Sequence, residues 1–253
     1  MILDHFRLDG QVAVVTGGNR GLGLGIAAAL AEAGADIVSV QRSADVGALA
    51  DRVQAAGRRV LPVSLDIGAE GAAEQALAST LDHFGRVQIL VNNAGIQRRH
   101  PAAEFPLADW DAVLAVNLRS VFSFCQAFGQ EMLRRGDGKI INIASLLSFQ
   151  GGSTVPAYAA AKHGVAGLTK ALCNEWAGRG VNVNAIAPGY MDTEMNERLR
   201  ADPERNRAIS ERIPASRWGV AEDMGGLAVF LASPAAAYIH GQVIAVDGGW
   251  MAR

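Results

Sequence analysis

The stretch V-A-V-V-T-G-G-N-R-G-L-G, residues 12–23, decides the fold. It starts as a β-branched run of strand length, turns through glycines and leads into an alanine-rich, helix-like segment near residues 21–33. Glycines let backbone N–H groups approach a pyrophosphate, and a helix N-terminus adds partial positive charge. The spacing is G-x-x-x-G-x-G rather than the more familiar G-x-G-x-x-G. The context predicts a dinucleotide-phosphate loop, with a purely structural turn as the alternative.

Strand-length aliphatic runs alternate with longer helix-like stretches along the chain. The runs lack polar alternation, which is typical of strands in a sheet covered on both faces. Helix-length segments between them favour right-handed crossovers and parallel pairing. We predict one α/β domain over residues 1–253, a Rossmann-type doubly wound parallel sheet of about seven strands near 11–17, 35–41, 59–66, 88–95, 139–145, 181–189 and 242–249.

The stretch 190–215 interrupts this alternation before the last predicted strand. It is polar and helix-prone, with E-M-N-E-R-L-R at 194–200, and Asp202-Pro203 breaks it. An insertion here sits at the carboxyl end of the sheet, where open α/β folds bind ligands. We therefore predict that 190–215 is a lid over a substrate.

Composition narrows the functional classes. The 253 residues carry a net charge of −2, which does not favour a nucleic-acid or anionic-membrane partner. No apolar run approaches bilayer length and no signal peptide is evident. The five histidines lack ligand-like spacing, so we expect no metal site. Cys125 and Cys173 are far apart and predict reduced core residues in a cytoplasmic protein.

The end of the second predicted strand faces the cofactor ribose in this class of fold. NAD sites usually carry Asp or Glu about 20 residues past the glycine loop. This chain instead has Gln41 and then Arg42, and Arg20 lies inside the loop. Arginine can clamp a phosphate, so these residues favour NADP(H). The alternative is that Arg42 is a solvated turn residue.

The sequence Y-A-A-A-K at 158–162 places a phenol and an ammonium four residues apart. Four residues is about one helical turn, so Tyr158 and Lys162 would share a face, and the alanines leave space beside it. A free Tyr has a pKa of about 10, and a nearby ammonium favours the phenolate. The pair therefore predicts an acid/base tyrosine; the alternative is an ordinary i,i+4 surface pair.

Several motifs together resemble the short-chain dehydrogenase/reductase family. They are T-G-G-N-R-G-L-G at 16–23, N-N-A-G at 92–95, Asn117, Ser145, Y-A-A-A-K at 158–162 and P-G at 188–189, in order over nearly the whole chain. The segments I-I-N-I-A-S-L-L-S-F-Q-G-G at 140–152 and R-I-P-A-S-R-W-G at 212–219 are similar to its sugar-acid branch. That branch is usually NAD-linked, so NAD(H) and NADP(H) both stay open. The family commonly forms homotetramers, to which residues 248–253 would contribute.

The resemblance implies an NAD(P)-dependent oxidoreductase that interconverts a secondary alcohol and a ketone on a deoxy sugar acid. The implied catalytic residues are Asn117, Ser145, Tyr158 and Lys162. Ser145 would orient the substrate oxygen, Lys162 would also hold the nicotinamide ribose, and Asn117 would bind a relay water. The expected cofactor contacts are Gly17, Asn19, Arg20, Gly21, Leu22, Gly23, Arg42, Asp66, Ile67, Asn93, Ala94, Gly95, Tyr158, Lys162, Pro188, Gly189, Met191 and Thr193.

A small-molecule sugar acid needs a cation or dipoles for its carboxylate. Arg98 and Arg99 follow N-N-A-G, and Arg217 follows the predicted lid; each could equally be a solvated surface charge. We select Arg98, Gln150 and Tyr190 as substrate-site candidates.

Three alternative functions stay open. A 3-oxoacyl-acyl-carrier-protein reductase would need a basic docking patch, for which Arg134 and Arg135 are the candidates. A polyol or cyclitol dehydrogenase would keep the chemistry and change the substrate. A cofactor-sensing binding protein would be expected to lack Ser145, Tyr158 or Lys162, and all three are present.

Overall fold

Seven strands form one sheet in a computed structural model that describes residues 1–253. All neighbouring strands pair in parallel, in the order β3-β2-β1-β4-β5-β6-β7. This confirms the predicted doubly wound parallel sheet of about seven strands. The strands are β1 (Val12–Thr16), β2 (Asp36–Gln41), β3 (Val60–Ser64), β4 (Ile89–Asn92), β5 (Gly138–Ile143), β6 (Val181–Pro188) and β7 (Val243–Val246).

Helices cover both faces of the sheet. On one side α3, α5 and α6 pack into a core of 24 buried residues, and on the other α1, α2 and α9 pack into a core of 22. Every residue of β1 and of β6 is buried, as a sheet covered on both faces requires. The helices are α1 (Gly21–Glu32), α2 (Gly47–Ala55), α3 (Ala72–Phe84), α4 (Leu107–Leu114), α5 (Ser120–Arg135), α6 (Pro156–Trp176), α7 (Glu197–Ala201), α8 (Pro203–Arg212) and α9 (Gly225–Ala232).

The helices α4 and α5 join through a π-helical turn at Ala115–Arg119 into one run, Leu107–Arg135. By length and composition this run could cross a membrane, which differs from the expectation that no apolar segment approaches that length. Half of its most apolar window is buried inside the protein, where Phe124 and Phe128 stack in the core. That packing is typical of a core helix.

Strand order places the predicted site residues on one edge of the sheet. The chain turns from β1 to β2 and β3 on one side and to β4 onward on the other, so the crevice opens between β1 and β4. In open α/β sheets this switch point is where ligands bind. Predicted site residues lie at this edge. The glycine loop follows β1, Asn93–Gly95 follow β4, Ser145 follows β5, and Pro188 ends β6.

The 190–215 segment lies between β6 and α9. It contains a short 3₁₀ turn at Glu194–Asn196, then α7 and α8. Asp202 caps α8 because its carboxylate accepts the N–H groups of Glu204 and Arg205, and Pro203 occupies the first helical position. Asp202-Pro203 thus ends one helix and begins the next.

Candidate active site

The glycine loop is a tight cradle that side chains would fill. Gly17 has φ +67°, in the left-handed region, and a Cβ on Gly23 would lie 2.0 Å from the Gly17 carbonyl oxygen. The Asn93 Nδ2 donates to the carbonyls of Thr16 and Gly17 at 2.9 and 3.3 Å. Asn93 therefore braces the loop. The loop faces the N-terminus of α1, so the residues present fit a dinucleotide pyrophosphate.

Arg20 is paired across the cleft entrance. Its Nη1 lies 2.6 Å from the Glu194 carboxylate, and both side chains are exposed. Thr193 approaches the loop as well, since a Cβ on Gly21 would be 4.0 Å from its Cγ2. The start of the 190–215 segment thus lies against the glycine loop. From the sequence, the positive charge of Arg20 is expected to bind a phosphate. In the structure the Glu194 carboxylate compensates that charge.

The end of β2 presents an unused hydrogen-bond donor. Gln41 is 7% exposed, its Oε1 accepts a 2.6 Å hydrogen bond from the Ser39 hydroxyl, and its Nε2 has no partner. A buried amide donor without a partner carries a cost that a ligand acceptor would remove. Arg42 follows, exposed and without an acidic partner. Neither group repels a phosphate, so this end of the site fits NADP as well as NAD.

The remaining predicted cofactor contacts line the same edge. Asp66 is exposed and accepts the Gly68 N–H, and Ile67 is half-buried against the core. Gly189 passes so close to Asp247 that a Cβ would lie 2.7 Å from its Cα. Met191 is buried and forms an isolated parallel bridge with Gly219.

Tyr158 and Lys162 share a face of α6, which begins with Pro156 at its first position. The Lys162 Nζ lies 5.5 Å from the centre of the Tyr158 ring. Ser145 follows β5 and caps a short 3₁₀ helix, Leu146–Ser148, by accepting the Leu147 N–H at 3.2 Å. Tyr158 and Lys162 thus lie at the edge of the sheet where Ser145 follows β5, and their catalytic roles stay predictions.

Burial controls the electrostatics of the phenol. Tyr158 is half-buried, and enclosure of its hydroxyl raises its pKa above the usual value. The nearby Ser145 hydroxyl and the positive charge of Arg99 act in the opposite direction on the Tyr158 pKa. Substrate binding would therefore meet a protonated phenol in the free enzyme, with Ser145 and Arg99 already placed to favour its ionised form.

Lys162 is a buried cation with one hydrogen bond. It is 4% exposed, and its Nζ donates to the Ile143 carbonyl at 2.6 Å. Burial lowers its pKa to about 8. That the Lys162 ammonium favours the Tyr158 phenolate stays a prediction. In the free protein, Ser145 and Arg99 lower the Tyr158 pKa, while the Lys162 Nζ donates to the β5 backbone.

Asn117 lies in the π-helical turn between α4 and α5, fully buried. Its Oδ1 accepts the Ile96 N–H at 2.8 Å, and its Nδ2 donates to the Ile96 carbonyl at 2.7 Å. The side chain thus clamps the loop after β4, beside Gly95. This satisfies a buried amide that a regular helix interior would leave costly. Its role in a water relay stays a prediction.

The three candidate carboxylate-binding cations differ in their partners. Arg98 lies 3.4 Å from Asp109, which also contacts His100. Arg217 forms two hydrogen bonds of 2.6 and 2.8 Å with Asp223 and lowers the pKa of that carboxyl to about 2.

Arg99 has no acidic partner. It keeps contact with solvent, but partial enclosure of its guanidinium lowers its pKa, and its charge acts on Tyr158 and Tyr190. Among the three, Arg99 is the cation that no carboxylate neutralises.

An aromatic cluster closes the far side of the cleft. The Tyr190 ring lies 5.5 Å from Trp218 and 4.6 Å from Trp250, centre to centre. Trp250 is buried with Leu146, the residue after Ser145. The C-terminal residues therefore pack on their own chain at the substrate side. Gln150 is half-buried at the end of the Ser145 turn, where its N–H binds the Leu146 carbonyl.

Residues 17–251 match a protein-family model described as enoyl-(acyl carrier protein) reductase. A Bacillus subtilis 2-dehydro-3-deoxy-D-gluconate 5-dehydrogenase is 51% identical over 99% of this chain and 98% of its own. The chain belongs to the short-chain dehydrogenase/reductase family. This confirms the resemblance drawn from the motifs at 16–23, 92–95 and 158–162.

Two solved structures are similar over their full lengths. An Agrobacterium tumefaciens protein described as a 2-deoxy-D-gluconate 3-dehydrogenase, crystallised with NADP, is 53% identical with a TM-score of 0.93, covering 99% of this chain and 100% of its own. A Burkholderia cenocepacia gluconate 5-dehydrogenase in complex with NADP and tartrate is 42% identical with a TM-score of 0.95, covering 100% of both chains. These findings agree with membership of the short-chain dehydrogenase/reductase family. The similar proteins are described as dehydrogenases of sugar acids.

Sequence reasoning missed one candidate contact of this short-chain dehydrogenase/reductase. From the sequence, Gln41 was interpreted only as a residue that does not repel a phosphate. In the structure its Nε2 is the unpartnered donor at the ribose end. The available signal was Ser39, two residues earlier on the same face of β2, whose hydroxyl holds the amide oxygen. Because the Gln41 amide oxygen is held by Ser39, its NH₂ group is left without a protein partner.

Proposed function

We propose that the protein is an NADP(H)-dependent oxidoreductase that interconverts a secondary alcohol and a ketone on a deoxy sugar acid, the reaction of 2-dehydro-3-deoxy-D-gluconate 5-dehydrogenases. The carrying observation is that Tyr158 and Lys162 share one face of α6 at the edge of the sheet that also carries the glycine loop, while Arg99, a cation without an acidic partner, lies on the loop after β4 at the same edge. This pairing offers a carboxylate-binding cation and a proton-transfer group to one small molecule. Full-length relatives at about 50% identity support the same substrate class.

Tyr158 moves the proton of the reacting oxygen. When the alcohol is oxidised its hydroxyl proton goes to the phenolate, and when the ketone is reduced the phenol returns it. Ser145 holds the substrate oxygen beside the phenol and stabilises the ionised tyrosine. The bound nicotinamide supplies the hydride acceptor or donor at C4.

Lys162 has two tasks in this proposal. It bonds to Ile143 at the end of β5, which fixes its ammonium between the sheet and the Tyr158 ring. There it would hold the nicotinamide ribose and exchange the proton that Tyr158 gains or loses. A pKa of about 8 suits that exchange near neutral pH. Asn117 positions the Ile96 backbone beside this path.

Replacing Arg99 tests the substrate class. We expect Arg99→Ala to raise KM for 2-dehydro-3-deoxy-D-gluconate about 10- to 100-fold, because a hydrogen bond to a charged group contributes roughly 1.5–3 kcal/mol. Arg98→Ala is the matched control, since Arg98 is already paired with Asp109. Initial rates are measured by nicotinamide absorbance with deoxy sugar acids, polyols and acyl thioesters.

If the enzyme turned over acyl thioesters and no sugar acid, the proposal would give way to the 3-oxoacyl-acyl-carrier-protein reductase alternative. Turnover of neutral polyols alone would instead favour a polyol or cyclitol dehydrogenase. An Arg98→Ala effect equal to that of Arg99→Ala would remove the assignment of Arg99.

Arg42→Ala separates the two nicotinamide cofactors. We expect it to raise the Kd of NADPH about tenfold or more while the Kd of NADH changes little, because only NADPH carries the 2′-phosphate that a guanidinium would bind. Titration of cofactor fluorescence in the absence of substrate measures both constants on one variant, and NADH serves as the internal control. Equal weakening of both cofactors would show that Arg42 does not contact the phosphate.

We also propose that the protein is a cytoplasmic homotetramer. Leu107, Phe122 and Tyr238 expose 78, 43 and 97% of their surfaces, and β7 leaves one edge of the sheet unpaired. Exposed apolar side chains and an open strand edge are typical of surfaces that another subunit covers. Light scattering of the purified protein measures the assembly, and a monomer would contradict it.

A further inference from the structure

The carboxylate of Asp109, in the first turn of α4, is shared by the two residues that flank Arg99. The His100 Nε2 lies 2.7 Å from its Oδ2, and the Arg98 Nε lies 3.4 Å from its Oδ1. An ionised carboxylate only accepts hydrogen bonds, so the imidazole donates through Nε2. The His100 and Asp109 side chains are half-buried, which screens their contact less than that of a fully exposed pair.

This shared carboxylate orients the loop after β4. Residues 93–100 contain no helix or turn, and along an extended stretch neighbouring side chains point to opposite sides. Since Arg98 and His100 reach the same carboxylate, their side chains lie on the α4 side of the loop. The side chain of Arg99, between them, therefore projects away from α4.

The backbone of the same loop is fixed against the start of α6. The His100 N–H donates to the Thr154 carbonyl at 3.1 Å. Thr154 lies two residues before Pro156, the first residue of α6, and Tyr158 is in the first turn of that helix. The peptide unit that joins Arg99 to His100 is thus held beside the helix that carries the proton-transfer group.

Thr154 is in a strained conformation at this contact. Its φ is +64°, in the left-handed region that β-branched residues rarely adopt. Such a conformation persists only where its surroundings hold it, and it is typical of active sites and ligand clamps. The hydrogen bond from the His100 N–H is part of that support, so the two loops constrain each other.

Aromatic packing holds the imidazole from the other side. The Phe105 ring meets the His100 ring edge-on at 5.2 Å, centre to centre, and meets the Trp110 ring edge-on at 6.5 Å. Trp110 follows Asp109 on α4. The first turn of α4 therefore holds His100 through a hydrogen bond and through a chain of ring contacts.

We propose that Asp109, acting through His100, is a positioning residue that holds Arg99 where it can bind the substrate carboxylate. The inference rests on the proposed sugar-acid function and deepens it. A guanidinium on a loop that is fixed before the substrate arrives loses less conformational entropy on binding than one on a free loop. The Asp109–His100 pair thus favours acids over neutral polyols of the same length.

Asp109→Ala removes the anchor of the loop. We expect it to raise KM for 2-dehydro-3-deoxy-D-gluconate about tenfold, the size of the loss of one hydrogen bond to a charged group. The kcat should stay within about twofold of wild type, because Tyr158 is untouched. Asp109→Asn should recover part of the affinity, since its amide oxygen still accepts from His100. Asp111→Ala, exposed on the same helix, is the matched control and should leave KM unchanged.

A double variant supplies a readout that a merely structural role would not move. If Asp109 acts through Arg99, the KM of Asp109→Ala/Arg99→Ala equals that of Arg99→Ala alone, because the anchor has nothing left to position. His100→Ala removes the same contact from the other side and should show the same KM increase and the same lack of additivity. Steady-state rates of the purified variants with saturating NADP⁺ or NADPH measure all of these constants.

The outcomes separate this inference from the function on which it rests. If sugar acids are turned over and Arg99→Ala raises KM, but Asp109→Ala and His100→Ala behave as wild type or add their losses to that of Arg99→Ala, the positioning role is wrong and the proposed function stands. If wild type turns over no sugar acid, both are wrong.

Discussion

Tyr158→Phe is expected to lower kcat about 10³-fold or more in both reaction directions, within the range of about 10²–10⁴ that positioned acid/base groups contribute. The substitution removes the hydroxyl that takes or returns the proton and keeps the ring that packs beside Lys162. NADPH binding should persist, because the glycine loop and β2 are untouched. Stopped-flow rates and cofactor fluorescence titrations on the same sample measure the two properties separately.

Tyr238→Phe is the matched control, because Tyr238 is 97% exposed and lies outside the cleft. It should retain wild-type kcat and cofactor affinity. A Tyr158→Phe enzyme that kept its rate would remove the proton-transfer role from the phenol. Loss of NADPH binding in step with kcat would show instead that the variant had lost the cofactor site.

The fold was predictable because its signals are local. Seven aliphatic runs of strand length, separated by helix-forming sequence, leave few arrangements other than a parallel sheet with helices on both faces. The glycine loop was predictable for the same reason, since its turn requires residues without a Cβ at Gly17 and Gly23. The run at 107–135 was missed as a single helix because its continuity depends on the π-helical turn at Ala115–Arg119.

The choice among cations was beyond the sequence. Arg98 and Arg99 are adjacent and chemically identical, and only the folded loop assigns Asp109 to Arg98 and leaves Arg99 without an acidic partner. Arg217 has the same limitation, since its partner Asp223 could be recognised only from the folded chain. Such pairings depend on loop geometry, which residue type and spacing do not encode.

Lys162 shows what a local sequence pattern leaves out. Spacing along α6 placed Tyr158 and Lys162 on one face, which the structure bears out. Spacing carries no information on burial, and burial shifts both pKa values toward the neutral forms. In the free protein the pair is therefore a half-buried phenol with a raised pKa and a buried amine with a pKa of about 8.

The low pKa of Lys162 predicts that Lys162→Met changes both the free energy of unfolding and kcat. The folded-state pKa of about 8 lies below the ordinary value of 10.5, so between these values the folded protein binds fewer protons than the unfolded chain. Stability should therefore rise with pH across that window. Below pH 8 the buried charge costs about 3 kcal/mol, at 1.36 kcal/mol per pKa unit. Methionine fills the same space without that cost but loses the hydrogen bond to Ile143, worth about 1 kcal/mol.

Lys162→Met should accordingly be about 2 kcal/mol more stable than wild type at pH 7, and lose this advantage by pH 10 to 11, while kcat falls about 10²-fold or more. Urea unfolding at both pH values and steady-state rates measure the two effects. Lys170→Met, exposed on the same helix, should change neither. A variant less stable than wild type by the same amount at both pH values would show that Lys162 stays charged and satisfied when folded. The ammonium would then be a fixed anchor for the cofactor ribose, and the proton of Tyr158 would have to leave by another route.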